Sequence, residues 1–414
     1  MANSIFISLW GNPIKWEYTA YKFNDITECA VTSSRVIHEY ICPDAKAFIF
    51  LPDSLSPDFY IDDDTLTANI DKVIDIIKQD FMGKNDTKSV EFIGKSYISL
   101  FPSIGTFTID GAPFTLKANI NYLYTYFYSK SLNYMETQKE LEKVVIDMTH
   151  GINFLQFIFL ESIKYSCMVY SLRHRKNMEI EYYNSSPYSK ALPISIILVR
   201  RLVISFKNVL SYLSRDFLNA YKNDKNSIIS YYNTSGLNVN PLYIKGCAIM
   251  ALSVTLPYIA YTLSQINDLI VSRNDEVTIK LTKNNDINEI THKFPDYCKT
   301  YMENLAFFDV LIAMKDFMNY NEGISIAKLY DALELYFGGE SDRIFVKSEL
   351  ARIKTGHNMD QEFSEINFSR NFKAHAGLLR AMYQVKGQKI RFKTINNNGI
   401  KINTDWVIKR LINQ

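Results

Sequence analysis

A stretch near the C-terminus, SRNFKAHAGL at 369–378, brings together side chains that suit chemistry on phosphate groups. Arg370, Asn371 and His375 lie close together there, in a chain with only 6 histidines. Histidine can act as a general acid or base near neutral pH, and arginine can stabilise the charge that grows on a phosphate. Because no carboxylate pair accompanies them, these residue types favour RNA cleavage by the 2′-hydroxyl, which requires no metal ion.

The spacing of this candidate catalytic set favours a site shared by two helices. On one helix Asn371 and His375 share a face, whereas Arg370 lies about 140° round the axis from His375. The residues beside the histidine are small: Ala374, Ala376 and Gly377. They would let a second copy of the helix approach, so that the polar side chains line a common cleft. A surface histidine beside a helix cap remains the alternative interpretation.

A second candidate site follows an apolar run in VVIDMTHGINF at 144–154. The run predicts a buried strand that ends at Asp147 and turns into a helix. Small or hydrogen-bonding residues occupy the turn: Thr149, His150, Gly151 and Asn153. Ligands of open parallel sheets bind outside the carboxyl ends of the strands, beside helix N-termini that favour phosphate. A plain strand-to-helix turn, capped by Asp147 or Thr149, would explain the same residues.

The N-terminal stretch SLWGNPIKW at 8–16 has the same form, a strand followed by a turn. That turn contains Trp10, Gly11, Asn12 and Pro13. Two more turns, at 52–55 and 102–107, would lie at the same edge of a parallel sheet. Their coincidence favours a ligand site at that edge. None of these turns is a GxGxxG fingerprint, so a bound NAD has no direct support.

The elements that must position these residues change in type along the chain. Residues 1–190 alternate apolar runs with helical patterns, which predicts a Rossmann-like α/β domain with a parallel sheet. The predicted strands are 4–10, 47–51, 90–94 and 144–148, and the predicted helices are 65–80 and 152–172. Apolar residues at helical spacing dominate afterwards, at 194–221, 301–320 and 325–337.

The second half of the chain is therefore predicted to be mostly helical. The polar segment 272–296 is the best internal loop or boundary, and an Asn-Gly pair within 388–403 predicts a β-hairpin. The predicted domains are 1–192, a helical linker region 193–275, and 276–414. The uncharged segment 246–267 fits a helix pair broken at Pro257 better than a membrane span.

The composition is that of a globular protein, with 47% hydrophobic and 22% charged residues. Its charge is uneven, at −6 over residues 1–64 and +9 over residues 370–410. A basic end of this kind could hold an anionic polymer, although such runs are often only solvated surface. The 5 cysteines form no CxxC pair, which argues against a zinc site or a disulfide framework. The N-terminus lacks the pattern of a signal peptide, so a cytoplasmic protein is expected.

Three motifs taken together resemble one family. DMTHGINF at 147–154, WGNPIKWEYTAY at 10–21 and RNFKAHAG at 370–377 look like the CRISPR-associated CARF–HEPN ribonucleases of type III systems, in the family's order. The resemblance implies a dimeric CARF domain that binds a cyclic oligoadenylate and a dimeric, metal-independent HEPN ribonuclease.

The family's R-x4-6-H pair matches Arg370 and His375, and Asn371 is the usual polar neighbour. Its ring-binding loops match the turn after the first strand and the turn at Thr149, His150 and Gly151.

The resemblance therefore predicts an endoribonuclease of antiviral defence that cleaves single-stranded RNA. Its allosteric activator would be a cyclic oligoadenylate, most naturally cyclic tetra-adenylate, with no cofactor and no membrane partner. A homodimer or higher oligomer is expected. A CARF-type transcriptional regulator without nuclease activity is one alternative, and it would give Arg370 and His375 no shared purpose. A nucleotide-dependent α/β enzyme is another, and it would need a carboxylate pair or a glycine fingerprint.

Overall fold

The structure of the protein is a computed structural model. It describes residues 3–56, 59–62, 65–109, 112–138, 140–151, 153–187, 192–234, 241–252, 256–264, 280–283, 289–294, 300–318, 320, 323–338, 340–355, 383–392, 394–397, 400–403, 406–407 and 410.

The strands run in chain order as follows: β1 Ser4–Leu9, β2 Thr19–Phe23, β3 Ile26–Ala30, β4 Lys46–Pro52, β5 Phe59–Asp62, β6 Thr65–Ala68, β7 Tyr97–Phe101, β8 Gly105–Ile109, β9 Ala112–Lys117, β10 Lys143–Asp147, β11 Met178–Ser185, β12 Ile194–Ile204, β13 Lys280–Lys283, β14 Glu289–Lys293, β15 Ile324–Ser325, β16 Tyr383–Lys386, β17 Lys389–Phe392, β18 Ile395–Asn397 and β19 Ile400–Ile402.

The helices are α1 Ser33–Ile41, α2 Ile70–Gly83, α3 Thr87–Lys95, α4 Ile120–Glu136, α5 Asn153–His174, α6 Phe206–Asn223, α7 Lys225–Thr234, α8 Pro241–Leu252, α9 Leu256–Ser264, α10 Met302–Phe317, α11 Ile326–Tyr336 and α12 Glu340–Thr355.

The chain folds into two compact units. The first comprises Met1–Cys167, Asn177–Ile204 and Asn274–Lys299, and the second comprises Met168–Lys176, Ser205–Arg273 and Thr300–Gln414. Each unit is therefore assembled from separate segments of the sequence.

Within the described part of the first unit, eight strands form one sheet in the order β3-β2-β12-β11-β10-β1-β4-β7. The strands β7, β4, β1, β10 and β11 are parallel. Their apolar runs are buried because helices cover both faces of the sheet. This arrangement confirms the predicted Rossmann-like α/β fold.

Each face of this sheet has its own apolar layer. On one face Phe6 of β1 and Val145 of β10 pack with residues of α1, α2 and α3, including Ile37, Ile77 and Ile93. On the other face Phe50 of β4 lies 5.3 Å from Phe127 of α4 and 5.4 Å from Phe159 of α5, between ring centroids. These two layers fix the strands whose ends carry the candidate turns.

Several sequence predictions about secondary structure are wrong. The predicted helix 65–80 begins as the strand β6, and α2 starts only at Ile70. The run at 90–94 lies in α3 and not in a strand, because Asp86 caps the helix by accepting the Ser89 N–H and the spacing buries Phe92 and Ile93. The start of the predicted helix 194–221 is the strand β12, which pairs antiparallel with β11. Ser205 then precedes α6. The predicted helical linker region 193–275 thus begins as a strand.

A six-stranded sheet also belongs to the first unit, in the order β5-β6-β13-β14-β9-β8 among the described residues. The hairpin β13–β14 inserts between β6 and β9, with Leu281 opposite Leu66 and Glu289 opposite Thr115. The polar segment 272–296, predicted as a loop or boundary, therefore contains two strands.

The described part of the second unit is mostly helical, as expected, with short C-terminal hairpins. Phe217 of α6 stacks on Phe307 of α10, with ring centroids 5.0 Å apart. Tyr258 of α9 packs against Phe392 of β17, with ring centroids 4.5 Å apart. The strands β18 and β19 form the hairpin that the Asn-Gly pair predicts.

The segment 246–267, weighed as a membrane span, contains the end of α8 and the helix α9. Pro257 lies in the first turn of α9, where a missing N–H is tolerated. Among the described residues, none of the helices combines the length and apolar character needed to cross a bilayer.

Candidate functional site

The turns after β1 and β10 lie side by side at one edge of the parallel sheet. Among the parallel strands, β4 follows β1 in the chain and lies on one side of it, whereas β10 lies on its other side and is followed by β11 farther out. The point between neighbouring strands where the order reverses is where open α/β sheets bind ligands. The two turns predicted from sequence therefore flank the topological switch point.

The turn after β1 is anchored by its buried residues. Trp10 has no exposed surface, and its indole Nε1–H donates to Ser34 Oγ at 2.8 Å. The Gly11 N–H donates to the His150 carbonyl at 2.8 Å, which ties this turn to the one after β10. Trp10 therefore holds the turn in place from within the core.

Asn12 and Pro13 continue the turn. Asn12 is exposed, and its Oδ1 accepts the Ile14 N–H at 3.1 Å at the start of a 3₁₀ turn spanning Pro13–Lys15. Pro13 is buried at the first position of that turn. Of the residues predicted here, Asn12 is the one with an exposed side chain.

Asp147 ends β10 and is fully buried. Its Oδ2 accepts the hydroxyls of Ser33 at 2.9 Å and Ser34 at 2.6 Å, while Oδ1 accepts the Thr149 N–H at 2.9 Å. The carboxylate thus joins the turn after β10 to the first residues of α1. The bond to Thr149 closes the turn itself, and α5 begins only at Asn153, so these contacts are not the helix cap that the sequence left open for Asp147.

His150 is half-buried between several segments. Its ring stacks on the indole of Trp16, with centroids 3.9 Å apart and planes 24° apart. Its Nε2 lies 3.2 Å from the Ser33 nitrogen and 3.3 Å from the Tyr21 hydroxyl. Burial lowers the pKa of His150 below its ordinary value, although the charge of Asp147 opposes the shift.

Thr149 and Gly151 complete the turn. The Oγ1 of Thr149 is buried and has no hydrogen-bond partner among the described residues. Gly151 lies under the side chain of Gln156, whose amide nitrogen donates to the Met148 carbonyl. Gly151 therefore leaves room for Gln156.

The last predicted residue of the turn, Asn153, begins α5. Its side chain lies outside the described residues. The next aromatic residues of the helix are exposed, Phe154 by 46% and Phe157 by 65%.

The turns after β4 and β7 reach the same edge and bond to each other. Asp53 is buried and accepts the Ser103 N–H at 2.8 Å, and Ser103 Oγ accepts the Ser54 N–H at 3.2 Å. The predicted clustering of four turns at one edge is thus present in the structure.

A comparison with protein families matches this region. Residues 5–187 match the family described as CRISPR system endoribonuclease Csx1, CARF domain. The match supports a CRISPR-associated CARF protein. No curated protein matches the chain.

The matched CARF region contains every strand and turn of the candidate ligand edge, from β1 to β11. The mixed sheet fits a Rossmann-like CARF domain. A CARF domain implies the sensing of a cyclic oligoadenylate in type III CRISPR systems.

Sequence reasoning missed four residues at the CARF ligand edge: Trp16, Tyr21, Ser33 and Ser34. The run Thr32-Ser33-Ser34 is a helix-start signal, and Thr32 does cap α1 by accepting the Ser34 N–H at 3.1 Å. That signal could have located the start of α1, but its contact with the turn after β10 has no local signature.

The candidate catalytic residues Arg370, Asn371 and His375 lie outside the described residues. Within the part of the chain that the structure describes, we find no cluster of His, Cys, Asp and Glu that could hold a metal ion.

Proposed function

We propose that the protein is a cyclic-oligoadenylate-activated, metal-independent endoribonuclease that cleaves single-stranded RNA in type III CRISPR antiviral defence. The match of residues 5–187 to the CARF domain of an endoribonuclease is the observation that carries this proposal. We assign the sensing function to 1–192 and the ribonuclease function to 276–414, although β13 and β14 at the start of the latter range lie in a sheet of the first unit.

The activator is cyclic tetra-adenylate, bound across two CARF domains of a homodimer. A ring with two-fold symmetry suits a two-fold site, because each protomer then presents the same turns to half of the ligand. The pairing of the turns after β1 and β10 at the switch point supports this placement. At this edge Asn12 offers an exposed side-chain amide, and Thr149 offers a buried hydroxyl without a hydrogen-bond partner among the described residues.

The ribonuclease site consists of Arg370, Asn371 and His375 from each protomer. His375 serves as the general acid or base, and Arg370 stabilises the charge on the phosphate as the 2′-oxygen attacks. The products carry a 2′,3′-cyclic phosphate or its opened form. The residue types and their spacing support this assignment.

Incubation of the full chain with labelled single-stranded RNA, with and without cyclic tetra-adenylate and in the presence of EDTA, tests the proposal. We expect cleavage that depends on the ring and persists in EDTA. Loss of activity in EDTA would contradict the metal-independent mechanism. Ring binding without any cleavage would favour a ligand-responsive regulator instead.

The catalytic assignment predicts the effect of two substitutions. His375→Ala removes the acid–base group and should lower the cleavage rate by about 10²-fold or more. Arg370→Ala should lower it by a similar factor, because the phosphate charge loses its partner. Both variants should bind the ring as tightly as the wild-type protein, as measured by calorimetry. A folded variant that keeps full activity would refute the assignment.

A further inference from the structure

His150 lies where four segments of the CARF region meet. Its carbonyl accepts the Gly11 N–H at 2.8 Å, and its ring stacks on Trp16. Its Nε2 faces the Ser33 N–H of α1 at 3.2 Å and the Tyr21 hydroxyl of β2 at 3.3 Å. One side chain therefore connects the turn after β10 with β2 and α1 and with the segment after β1.

The partner at Ser33 fixes the protonation of the ring. A backbone N–H can only donate, so Nε2 must accept, and the neutral ring carries its proton on Nδ1. The Ser33 N–H belongs to the first turn of α1, where the amide groups lack partners within the helix. Nε2 of His150 accepts from this amide, which also lies within hydrogen-bond reach of the Tyr21 hydroxyl. A proton on Nε2 would remove the acceptor that His150 provides.

Of the influences on His150, burial favours the neutral ring and Asp147 favours the protonated one. Asp147 on β10 is the nearest charge, and the hydroxyls of Ser33 and Ser34 already bind its carboxylate. Tyr21 on β2 donates towards Nε2, and Asp86 beside α3 acts on Tyr21 from farther away. The attraction of Asp147 for a proton on His150 is smaller than the effect of burial, so the pKa of His150 stays below its ordinary value.

We propose that His150 is a positioning residue, whose unprotonated Nε2 holds the ring-binding turn against the first turn of α1, and that it does not bind the ring itself. The inference rests on the proposed function of this edge as a ring-binding site. It assigns to His150 a different task from Asn12 and Thr149, because its acceptor nitrogen is already used within the protein.

Two amide substitutions separate positioning from direct contact. His150→Gln carries an amide oxygen close to the place of Nε2, whereas His150→Asn carries its amide close to Nδ1 and is too short to reach Ser33. We expect His150→Gln to bind cyclic tetra-adenylate with nearly wild-type affinity. We expect His150→Asn and His150→Ala to bind at least about tenfold more weakly, because the Ser33 N–H loses its acceptor and the turn loses its position. Calorimetry on the full chain measures these affinities.

The opposite ranking, with His150→Asn close to the wild-type protein and His150→Gln weakened, would overturn the inference and make His150 a direct ligand contact. Equal weakening by all three substitutions would overturn it as well. Wild-type protein that binds no ring would contradict the proposed function, and thermal unfolding then still tests the positioning role.

The direction in which the stability changes with pH follows from the lowered pKa of His150 in the folded protein. The stabilising contribution of neutral His150 is complete above the ordinary histidine pKa and is lost as the pH falls below it. Between about pH 7.5 and about pH 5, the melting temperature of the wild-type protein should fall further than that of His150→Gln. Parallel curves for the two proteins would contradict an unprotonated Nε2 acceptor.

Discussion

A Cβ atom on Gly151 would lie 2.7 Å from Cγ of Gln156 and 2.8 Å from its amide nitrogen. These distances are shorter than van der Waals contact, so an alanine at this position requires Gln156 to move. Movement of Gln156 would break its hydrogen bond to the Met148 carbonyl. A substitution at Gly151 therefore acts on the turn through Gln156, before any ligand is present.

Gly151→Ala should lower the free energy of unfolding by about 1 kcal/mol, because one hydrogen bond of the turn is lost. Gln156→Ala removes the same bond and should cost about as much. The double variant should cost little more than either single variant, since both act on one interaction. Denaturant unfolding measures the three values.

Gly83→Ala is the matched control, because a Cβ at Gly83 meets no atom within 4 Å. It should not destabilise the protein. A double variant whose cost equals the sum of the single costs would show that Gly151 and Gln156 act independently.

At the scale of elements, Glu28 joins β3 to α1 and α3. It accepts hydrogen bonds from Arg35, from Tyr40 at 2.7 Å and from Lys88 at 2.9 Å. Burial raises the pKa of Glu28, but the hydrogen bonds from Lys88, Tyr40 and Arg35 outweigh it and lower the pKa to about 2. The ionised carboxylate is therefore the form that holds these elements together.

Glu28→Gln should lower the free energy of unfolding at neutral pH by about 2 kcal/mol, because the buried Arg35 loses one anionic partner and retains Glu39. The folded pKa lies below the ordinary value, so the stabilisation is present above about pH 4.5 and is lost as the pH falls towards about 2. The difference between the wild-type protein and Glu28→Gln should shrink across that range. Glu91→Gln is the control, because the pair Glu91–Lys95 lies on the exposed surface of α3. A difference that stays constant down to about pH 2 would contradict the role of ionised Glu28.

The strands that position the site could be predicted from sequence because their apolar runs are continuous. The runs at 4–10, 47–51 and 144–148 correspond to β1, β4 and β10. The run at 90–94 has the same composition, but Asp86 caps it as a helix. The run at 194–204 has helical spacing, but pairing with β11 makes it a strand. A local helix cap decided the first case, and tertiary pairing with β11 decided the second.

The site itself was predictable only as far as its turns. Residues after β1 and β10 could be placed at one edge, since parallel strands bring their carboxyl ends together. The contact of His150 with Ser33 joins residues far apart in sequence, and the sequence around neither residue predicts it. The burial of Trp10 was likewise not evident from its place after a strand.

At the scale of the whole molecule, the proposed two-fold ring site requires that two chains meet at the ligand edge. Phe154 and Phe157 begin α5 directly after the turn, and they are 46% and 65% exposed. Farther along α5, Lys164 Nζ lies 3.2 Å from Glu161 Oε2. Among the described residues of α5, the strongly exposed apolar side chains thus lie at the end beside the ligand turns.

Calorimetry should show one ring bound for every two chains, and Phe157→Ser should weaken the dimer in analytical ultracentrifugation. Burying an exposed aromatic ring between chains stabilises a dimer by about 2 kcal/mol. Its loss should therefore raise the dissociation constant of the dimer more than tenfold. Val203→Ser is the control, because Val203 is 61% exposed but lies opposite Glu179, at the other end of the sheet. One ring per chain, or equal effects of the two substitutions, would contradict this assembly.

The late position of the hairpin β13–β14 in the chain determines when the six-stranded sheet can form during translation. Residues 289–291 pair with residues 115–117, and residue 281 pairs with residue 66. When residues 1–204 have left the ribosome, β5–β6 and β8–β9 are still two separate hairpins, and a two-stranded hairpin is only marginally stable alone. The six-stranded sheet can close only after the first helices of the second unit have been translated. A nascent chain therefore carries open strand edges through that interval, and a fragment cut at the end of the family match would keep them permanently.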